Sequence, residues 1–163
     1  KNIGKIESGF SEYVEVHSGI LNVGEVSGIP IIKELLRENY NREEVTIIDC
    51  PPGSSCIVME SIKEADYCIL VAEPTLFGCH NLNMVNELVN VFNKPYGVVL
   101  NKCVDGINPA EVYCEENKIK ILGKLGFDQE LGLLNSQGLI VARESKKYSD
   151  IFLKLLTNII KEV

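Results

Sequence analysis

Three polar residues, Asp49, Glu73 and Asn101, each come directly after an apolar run, and their types could support chemistry. If the runs are parallel strands, their polar ends meet at one edge of the sheet, where open α/β sheets bind ligands. A carboxylate there can hold a Mg²⁺-bound water, because Mg²⁺ prefers few carboxylates and several waters. For Glu73, the alternative that it merely ends a strand stays open.

The segment after Asp49 reads Cys50-Pro51-Pro52-Gly53-Ser54-Ser55 and predicts a rigid loop. A glycine in such a loop lets a bare backbone N–H approach a phosphate oxygen closely. The preceding prolines fix their own φ angles and so limit the motion of the loop. The pattern favours a nucleotide loop, and a plain Pro-Gly turn is the alternative.

The pair Asn101-Lys102 is a second indication of a nucleotide site. A carboxamide offers a donor and an acceptor side by side, which suits the N6/N7 edge of adenine. Guanine recognition would call for an acid two residues after the lysine, and the nearest one, Asp105, is one residue further along. The spacing favours ATP over GTP, and an asparagine that caps a turn is the alternative.

Composition excludes several functional classes. The 163 residues include 16 Lys and Arg against 23 Asp and Glu, which gives a formal net charge of −7. An acidic chain without a basic cluster is a poor nucleic-acid binder. No apolar run reaches the length of a membrane span, and no secretory signal opens the sequence. We therefore expect a cytoplasmic protein whose six cysteines are mostly free thiols.

Apolar runs alternate with helical patterns after residue 44, which predicts βαβ units. We expect an α/β fold with a mostly parallel open sheet flanked by helices, in one domain over residues 1–163. Residues 1–28 are expected to be an irregular entry segment with a short strand at 13–16. Strands buried on both faces are expected at 45–48, 67–72 and 97–100, with a fourth at 119–122. Helices are expected to start near Ser27, to cover 82–92 and 109–117, and to end the chain after a cap at Ser149 or Asp150.

Several segments together resemble the MinD/ParA/Mrp group of P-loop ATPases. More narrowly, the chain resembles MinD-superfamily ATPases that carry an inserted ferredoxin domain. The segments are ILNVGEVSGIPIIKELLRE (20–38), IIDCPPGSSC (47–56), EADYCILVAEPTLFGCHNL (64–82), PYGVVLNKC (95–103) and ILGKLGFD (121–128). They follow the order of the family and cover nearly the whole chain. The fold implied is the three-layer P-loop NTPase type.

The resemblance implies roles for particular residues. Asp49 would hold the Mg²⁺ water and Gly53 would sense the γ-phosphate, which makes these two the expected catalytic positions. Asn101 would read adenine, and Phe127 and Asp128 would lie in the loop that covers the base. The complete set of expected nucleotide-binding residues is Asp49, Pro52, Gly53, Asn101, Lys102, Phe127 and Asp128. Family members often have proline at the position of Gly126, so this loop departs from their pattern.

Two parts of the family pattern are absent from the sequence. No G-x-x-x-x-G-K-[S/T] phosphate loop and no cysteine-rich ferredoxin insert can be found. We therefore interpret the chain as the carboxyl-terminal part of such a protein, without the P-loop strand and catalytically silent alone. The intact protein would bind and hydrolyse ATP with Mg²⁺ and couple turnover to iron–sulfur or electron-transfer chemistry. Its implied partners are a ferredoxin-like domain and either a second copy or the P-loop-bearing remainder.

Cys56, just past the glycine loop, has two interpretations. It is first a packing residue, and the alternative is a ligand of an iron–sulfur cluster shared across a dimer, together with Cys50. Three other functions also stay open for the chain. They are an interaction module that docks a P-loop-bearing chain, a metal or cluster carrier without ATPase activity, and an amidotransferase-type synthetase.

Overall fold

The computed structural model describes residues 2–39 and 45–162. The chain divides into two compact units, Lys1–Ala65 and Asp66–Val163, called here the amino-terminal and carboxy-terminal units. The expectation of one domain over residues 1–163 stays a prediction. In the described residues, no helix has the length and apolar character needed to cross a bilayer.

The amino-terminal unit contains an antiparallel hairpin and two helices. Its elements are β1 (Gly4–Ser11), β2 (Val14–Leu21), α1 (Ile29–Asn39) and α2 (Cys56–Glu64). The turn between β1 and β2 places Glu12 in the left-handed region at φ 57°. Residues 1–28 were expected to hold one short strand, but both sides of this turn pair along their whole length, from Gly4 opposite Leu21 to Ser11 opposite Val14.

Helix α1 packs closely on the hairpin because two strand positions lack side chains. A Cβ on Gly19 would lie 2.5 Å from Cγ2 of Ile31, and one on Gly4 would lie 2.4 Å from Cδ1 of the same residue. Ile31 is buried in this contact. The glycines therefore set how near the helix can approach the strands.

The strand expected at residues 45–48 is absent, because residues 45–55 contain no helix or strand. Val45 and Ile47 are 65% and 79% exposed. A strand persists only when a neighbour satisfies its backbone N–H and C=O groups, and an apolar run alone does not supply that partner. The prediction for this segment was wrong.

The carboxy-terminal unit is a parallel sheet with helices, which confirms the α/β fold class. Its three strands lie in the order β3-β4-β5, and all pairs are parallel. The elements are β3 (Cys68–Ala72), α3 (Leu76–Val91), β4 (Tyr96–Cys103), α4 (Pro109–Glu116), β5 (Ile121–Gly126), α5 (Gln129–Ser136), α6 (Val141–Glu144) and α7 (Lys146–Ile160).

The central strand β4 is the best-covered part of this sheet. Val98, Val99 and Leu100 are all buried, although successive residues face opposite sides of the sheet. Helix α7 covers one side, where Leu155 lies over Gly123 of β5. Strand β3 departs from the expectation of burial on both faces, because Ile69 and Val71 are exposed. One face of β3 therefore lacks a cover within the described residues.

Two helix starts show where the sequence pattern was sufficient and where it was not. Helix α4 begins at Pro109 as predicted, and the side chain of Asn108 caps it by accepting from the N–H groups of Ala110 and Glu111. Helix α7 begins at Lys146 after Ser145, a turn earlier than the predicted caps at Ser149 or Asp150. Tyr148 is buried at 3% exposure, so the first turn of α7 belongs to the core.

Candidate functional site

The carboxyl ends of β3 and β4 bring two of the predicted polar residues to one edge of the sheet. Ala72 pairs with Leu100, so Glu73, the residue after β3, lies beside Asn101 of the adjacent strand β4. The Lys102 ammonium donates to Oε1 of Glu73 at 2.6 Å and bridges the two strand ends. Both partners of this ion pair are about half exposed, and such pairs contribute little to stability.

Strand β4 is irregular where Asn101 stands. The pairing with β5 shifts between Leu100 and Cys103, and Lys102 takes a left-handed conformation at φ 55°. The Oδ1 atom of Asn101 accepts a hydrogen bond from the Lys102 N–H at 3.0 Å. The Asn101 amide nitrogen has no hydrogen-bond partner among the described residues. The irregularity fixes the oxygen and leaves the donor half of the carboxamide available.

The loop after β5 is joined to the end of β4 by its backbone. The Phe127 N–H donates to the Cys103 carbonyl at 2.8 Å. Cys103 is itself held, because its thiol donates to the Leu100 carbonyl and accepts from the Asn108 amide. The Phe127 side chain is 62% exposed. The structure therefore brings Asn101 and Phe127, predicted from separate segments, to neighbouring strand ends.

Asp128 is the most heavily bonded side chain of the predicted set. Its Oδ1 caps α5 by accepting from the N–H groups of Glu130 and Leu131, and its Oδ2 accepts from Lys147 and Tyr148. The Lys147 ammonium, then the Tyr148 hydroxyl, hold the pKa of the Asp128 carboxyl well below its usual range. Burial, followed by the hydrogen bond to Asp128, raises the pKa of Tyr148, so its hydroxyl stays a donor at neutral pH.

A small cavity lies beside this loop. It has a volume of about 190 Å³ and is lined by Lys124, Leu125, Gly126, Phe127, Asp128, Lys147, Tyr148 and Ile151. Sequence reasoning missed Lys147 and Tyr148, which stand about twenty positions after Asp128 and belong to no local pattern. Only the packing of α7 against β5 brings them to Asp128.

The predicted phosphate-side loop belongs to the amino-terminal unit. Asp49 and Pro52 are exposed, and no described residue hydrogen-bonds or ion-pairs with the Asp49 carboxylate. Gly53 adopts φ 93°, which strongly favours glycine, and a Cβ there would meet nothing within 4 Å. Ser55 precedes α2 but makes no side-chain cap. The loop therefore presents an open carboxylate and an uncrowded glycine.

The two cysteines of this loop differ in surroundings. Cys56 is the first residue of α2 and is exposed. Cys50 is exposed as well, but desolvation of its thiol raises the pKa of Cys50 against the lowering effect of Ser61, and the Asp49 charge adds a smaller rise. Among the described residues, no group of three or more His, Cys, Asp or Glu side chains is arranged to hold a metal ion.

Comparison with known proteins gives the fold and distant relatives. No protein-family model matches the chain. Two uncharacterized proteins of Methanocaldococcus jannaschii are similar to it. MJ0579 is 31% identical over 103 residues, which are 63% of this chain and 38% of that protein. MJ0578 is 28% identical over 135 residues, which are 81% of this chain and 46% of that protein. The chain thus spans less than half the length of these relatives.

The cell division ATPase MinD of Pyrococcus furiosus has a similar structure. The two superpose with a TM-score of 0.66 over 81% of this chain and 58% of MinD, at 21% sequence identity. At this identity the likeness shows the fold, and the chain accordingly has a MinD-like α/β fold.

Proposed function

We propose that this chain forms the adenine-reading and switch part of an ATP-binding and ATP-hydrolysing protein. The observation that carries the proposal is the bond from the Phe127 N–H to the Cys103 carbonyl, at 2.8 Å. It joins the loop with the exposed aromatic ring to the strand end that holds Asn101. An aromatic face and a carboxamide edge at one place are the groups that bind a purine by stacking and by hydrogen bonds.

The predicted residues of each unit have their own roles in this proposal. Asn101 donates its free amide N–H to the base, and the ring of Phe127 packs on the same base. Lys102, held by Glu73, offers the remaining N–H donors of its ammonium group at the strand end. In the amino-terminal unit, Asp49 orients a Mg²⁺-bound water, and Gly53 offers its backbone N–H to the terminal phosphate. Pro52 limits the motion of that glycine. Mg²⁺, when bound, would neutralise phosphate charge.

The phosphate cradle has to come from sequence other than the 163 residues printed here, because these contain no P-loop pattern. It would belong to the remainder of a longer product or to another chain. The coupling of ATP turnover to iron–sulfur or electron-transfer chemistry, with a ferredoxin-like domain as partner, belongs to the same proposal. So do homodimerisation and a cytoplasmic location.

The test is nucleotide titration of the complete product of the gene, followed by steady-state hydrolysis. We expect micromolar Mg-ATP affinity in the complete protein and none in the isolated 163-residue chain. Asn101→Ala should weaken ATP binding by about ten- to a hundredfold, since a good contact to a base edge contributes about 1–3 kcal/mol. Asp49→Asn should lower kcat by about a hundredfold and leave the unfolding midpoint unchanged, because the carboxylate is exposed.

Asn158→Ala is the matched control, an exposed asparagine on α7 outside the proposed site. Equal ATP affinity in Asn101→Ala and Asn158→Ala would contradict the role of Asn101. Absence of ATP binding by the complete wild-type protein would remove the ATPase proposal. Anaerobic iron analysis of wild type and Cys56→Ser tests the cluster separately, and equal iron content in both would exclude Cys56 as a ligand.

The uncovered face of β3 favours a second candidate, an interaction module that docks a P-loop-bearing chain. Ile69 and Val71 are exposed there, although both faces of a parallel sheet are normally covered. Co-purification of a P-loop-bearing protein with the complete gene product, reduced by Val71→Lys, would favour this candidate over ATP binding within one chain.

A further inference from the structure

The start of α7 contacts the loop that follows β5 through one carboxylate. The Lys147 ammonium donates to Oδ2 of Asp128 at 2.8 Å, and the Tyr148 hydroxyl donates to the same atom. Tyr148 is buried, whereas Lys147 is mostly exposed. The Lys147 ammonium also lies 4.9 Å from the centre of the Tyr148 ring, so the two donors support one another.

This arrangement uses the whole acceptor capacity of Asp128. A carboxylate offers about four lone-pair sites. Two are taken by the N–H groups of Glu130 and Leu131 on Oδ1, at 2.9 and 3.4 Å. The other two, on Oδ2, are taken by Lys147 and Tyr148. Both oxygens of Asp128 are thus engaged within the protein, and this points to an effect on a ligand through the neighbours of Asp128.

The neighbour that Asp128 positions is Phe127. The backbone of Phe127 is fixed on one side by its bond to the Cys103 carbonyl and on the other by the capped residue Asp128. Its ring stays exposed and lines the cavity of about 190 Å³ beside the loop. Because the backbone of Phe127 is held on both sides, this residue loses less conformational freedom when a ligand stacks on its ring, and this favours binding.

We propose that Lys147 and Tyr148 are positioning residues that hold the Phe127–Asp128 loop in its base-binding position, with Asp128 as a support that does not contact the base. This inference rests on the proposed function for its ligand. It predicts that the first turn of α7 sets the affinity for the base of a nucleotide and leaves binding of the phosphates unchanged.

The experiment uses the complete gene product carrying Tyr148→Phe, Lys147→Gln or both changes. Tyr148→Phe keeps the buried ring and removes only the hydroxyl. Lys147→Arg is the conservative variant, which should keep the ion pair with Asp128. Lys120→Gln is the matched control, since Lys120 is an exposed lysine on a different carboxylate, that of Glu162. The two measurements are amide hydrogen exchange without ligand, and titration with ATP and with inorganic tripolyphosphate.

In the double variant we expect about fivefold to thirtyfold weaker ATP binding and unchanged tripolyphosphate binding. Exchange should become faster at residues 127–131 and stay unchanged in β4. Lys147→Arg and Lys120→Gln should behave as wild type. Equal losses for ATP and tripolyphosphate, or unaltered ATP affinity in the double variant, would overturn the inference.

Failure of the proposed function is recognised separately. If wild type binds no ATP, the proposed function is wrong, and the positioning of the loop is decided by hydrogen exchange alone. Faster exchange confined to residues 127–131 would then support Lys147 and Tyr148 as the residues that hold the loop. Unchanged exchange in both single variants and in the double variant would overturn that part as well.

Discussion

The two candidate loops differ in how their carboxylates are engaged. In the carboxy-terminal unit, the Asp128 carboxylate accepts from two backbone and two side-chain donors. In the amino-terminal unit, the Asp49 carboxylate is exposed and has no partner among the described residues. The Asp128 carboxylate stabilises the loop through these hydrogen bonds, whereas the Asp49 carboxylate is available to bind a ligand. Engagement of a carboxylate therefore distinguishes a supporting residue from a candidate ligand-binding residue, even where the sequence motifs implied both in one site.

The units also differ in how their cores are built. The carboxy-terminal unit centres on β4, whose Val98 and Leu100 are fully buried. The amino-terminal unit depends on a helix resting on a two-stranded hairpin, where glycines permit the contact with Ile31. A two-stranded hairpin alone is at best marginally stable, so the stability of this hairpin depends on its contact with α1. Two substitutions in the cores and one in the loops test these differences.

The largest effect is expected from truncation at the centre of β4. Leu100→Ala should lower the free energy of unfolding by about 2–5 kcal/mol, because it leaves a cavity in a fully buried place. Urea unfolding followed by circular dichroism measures the change. Val71→Ala, on the exposed face of β3, is the control and should cost less than about 1 kcal/mol. Equal costs would show that the face of β3 is covered in solution.

A smaller effect is expected at the contact between α1 and the hairpin. Gly19→Ala places a Cβ 2.5 Å from Ile31 and should destabilise the protein by about 1–3 kcal/mol, since the helix has to move away. Gly9→Ala is the matched control in the same hairpin, because its Cβ would meet nothing within 4 Å. Thermal unfolding of both variants checks this prediction. A similar midpoint for the two would mean that α1 does not rest on the hairpin as described.

The smallest effect concerns acid and compares the two carboxylates directly. The depressed pKa of Asp128 means that its contribution to stability is present above the unfolded aspartate value of about 3.9 and is lost as pH falls through the folded value. Asp128→Asn should therefore lower the urea midpoint at pH 7 and reduce its decline in acid. Asp49→Asn removes the same charge at an exposed position and is the control, so its urea midpoint at pH 7 should equal that of wild type. If the urea midpoints of wild type and Asp128→Asn declined equally as the pH falls, the hydrogen bonds described for the Asp128 carboxylate would be contradicted.

Local patterns predicted much of the carboxy-terminal unit because its elements carry their own signals. Asn108 followed by Pro109 favours a helix start by itself, and the apolar run of β4 is buried as a parallel strand should be. The same reasoning failed at residues 45–48, where an equally apolar run forms no strand. Apolar character indicates a preference for burial. A strand also requires a neighbouring strand to pair with its backbone, and the local sequence does not specify that neighbour.

The site was predicted in part for the same reason. Asn101 was predicted from its place after an apolar run, which the alternation of elements locates, whereas Phe127 was predicted only from the resemblance of its segment to a known family. Lys147 and Tyr148 were not found because their contact with Asp128 depends on where α7 starts, and the predicted start was a turn too late. Contacts made across long sequence separation depend on the packing of whole helices, so a small error in one boundary removes them.

The left-handed conformation of Lys102 restricts which substitutions natural selection can accept there. Glycine, asparagine and aspartate occupy that region of φ and ψ more readily than lysine does, and a β-branched residue would be strained. Searches for distant homologues are therefore better served by a pattern that allows these residues after Asn101 than by one that requires a basic residue at the position.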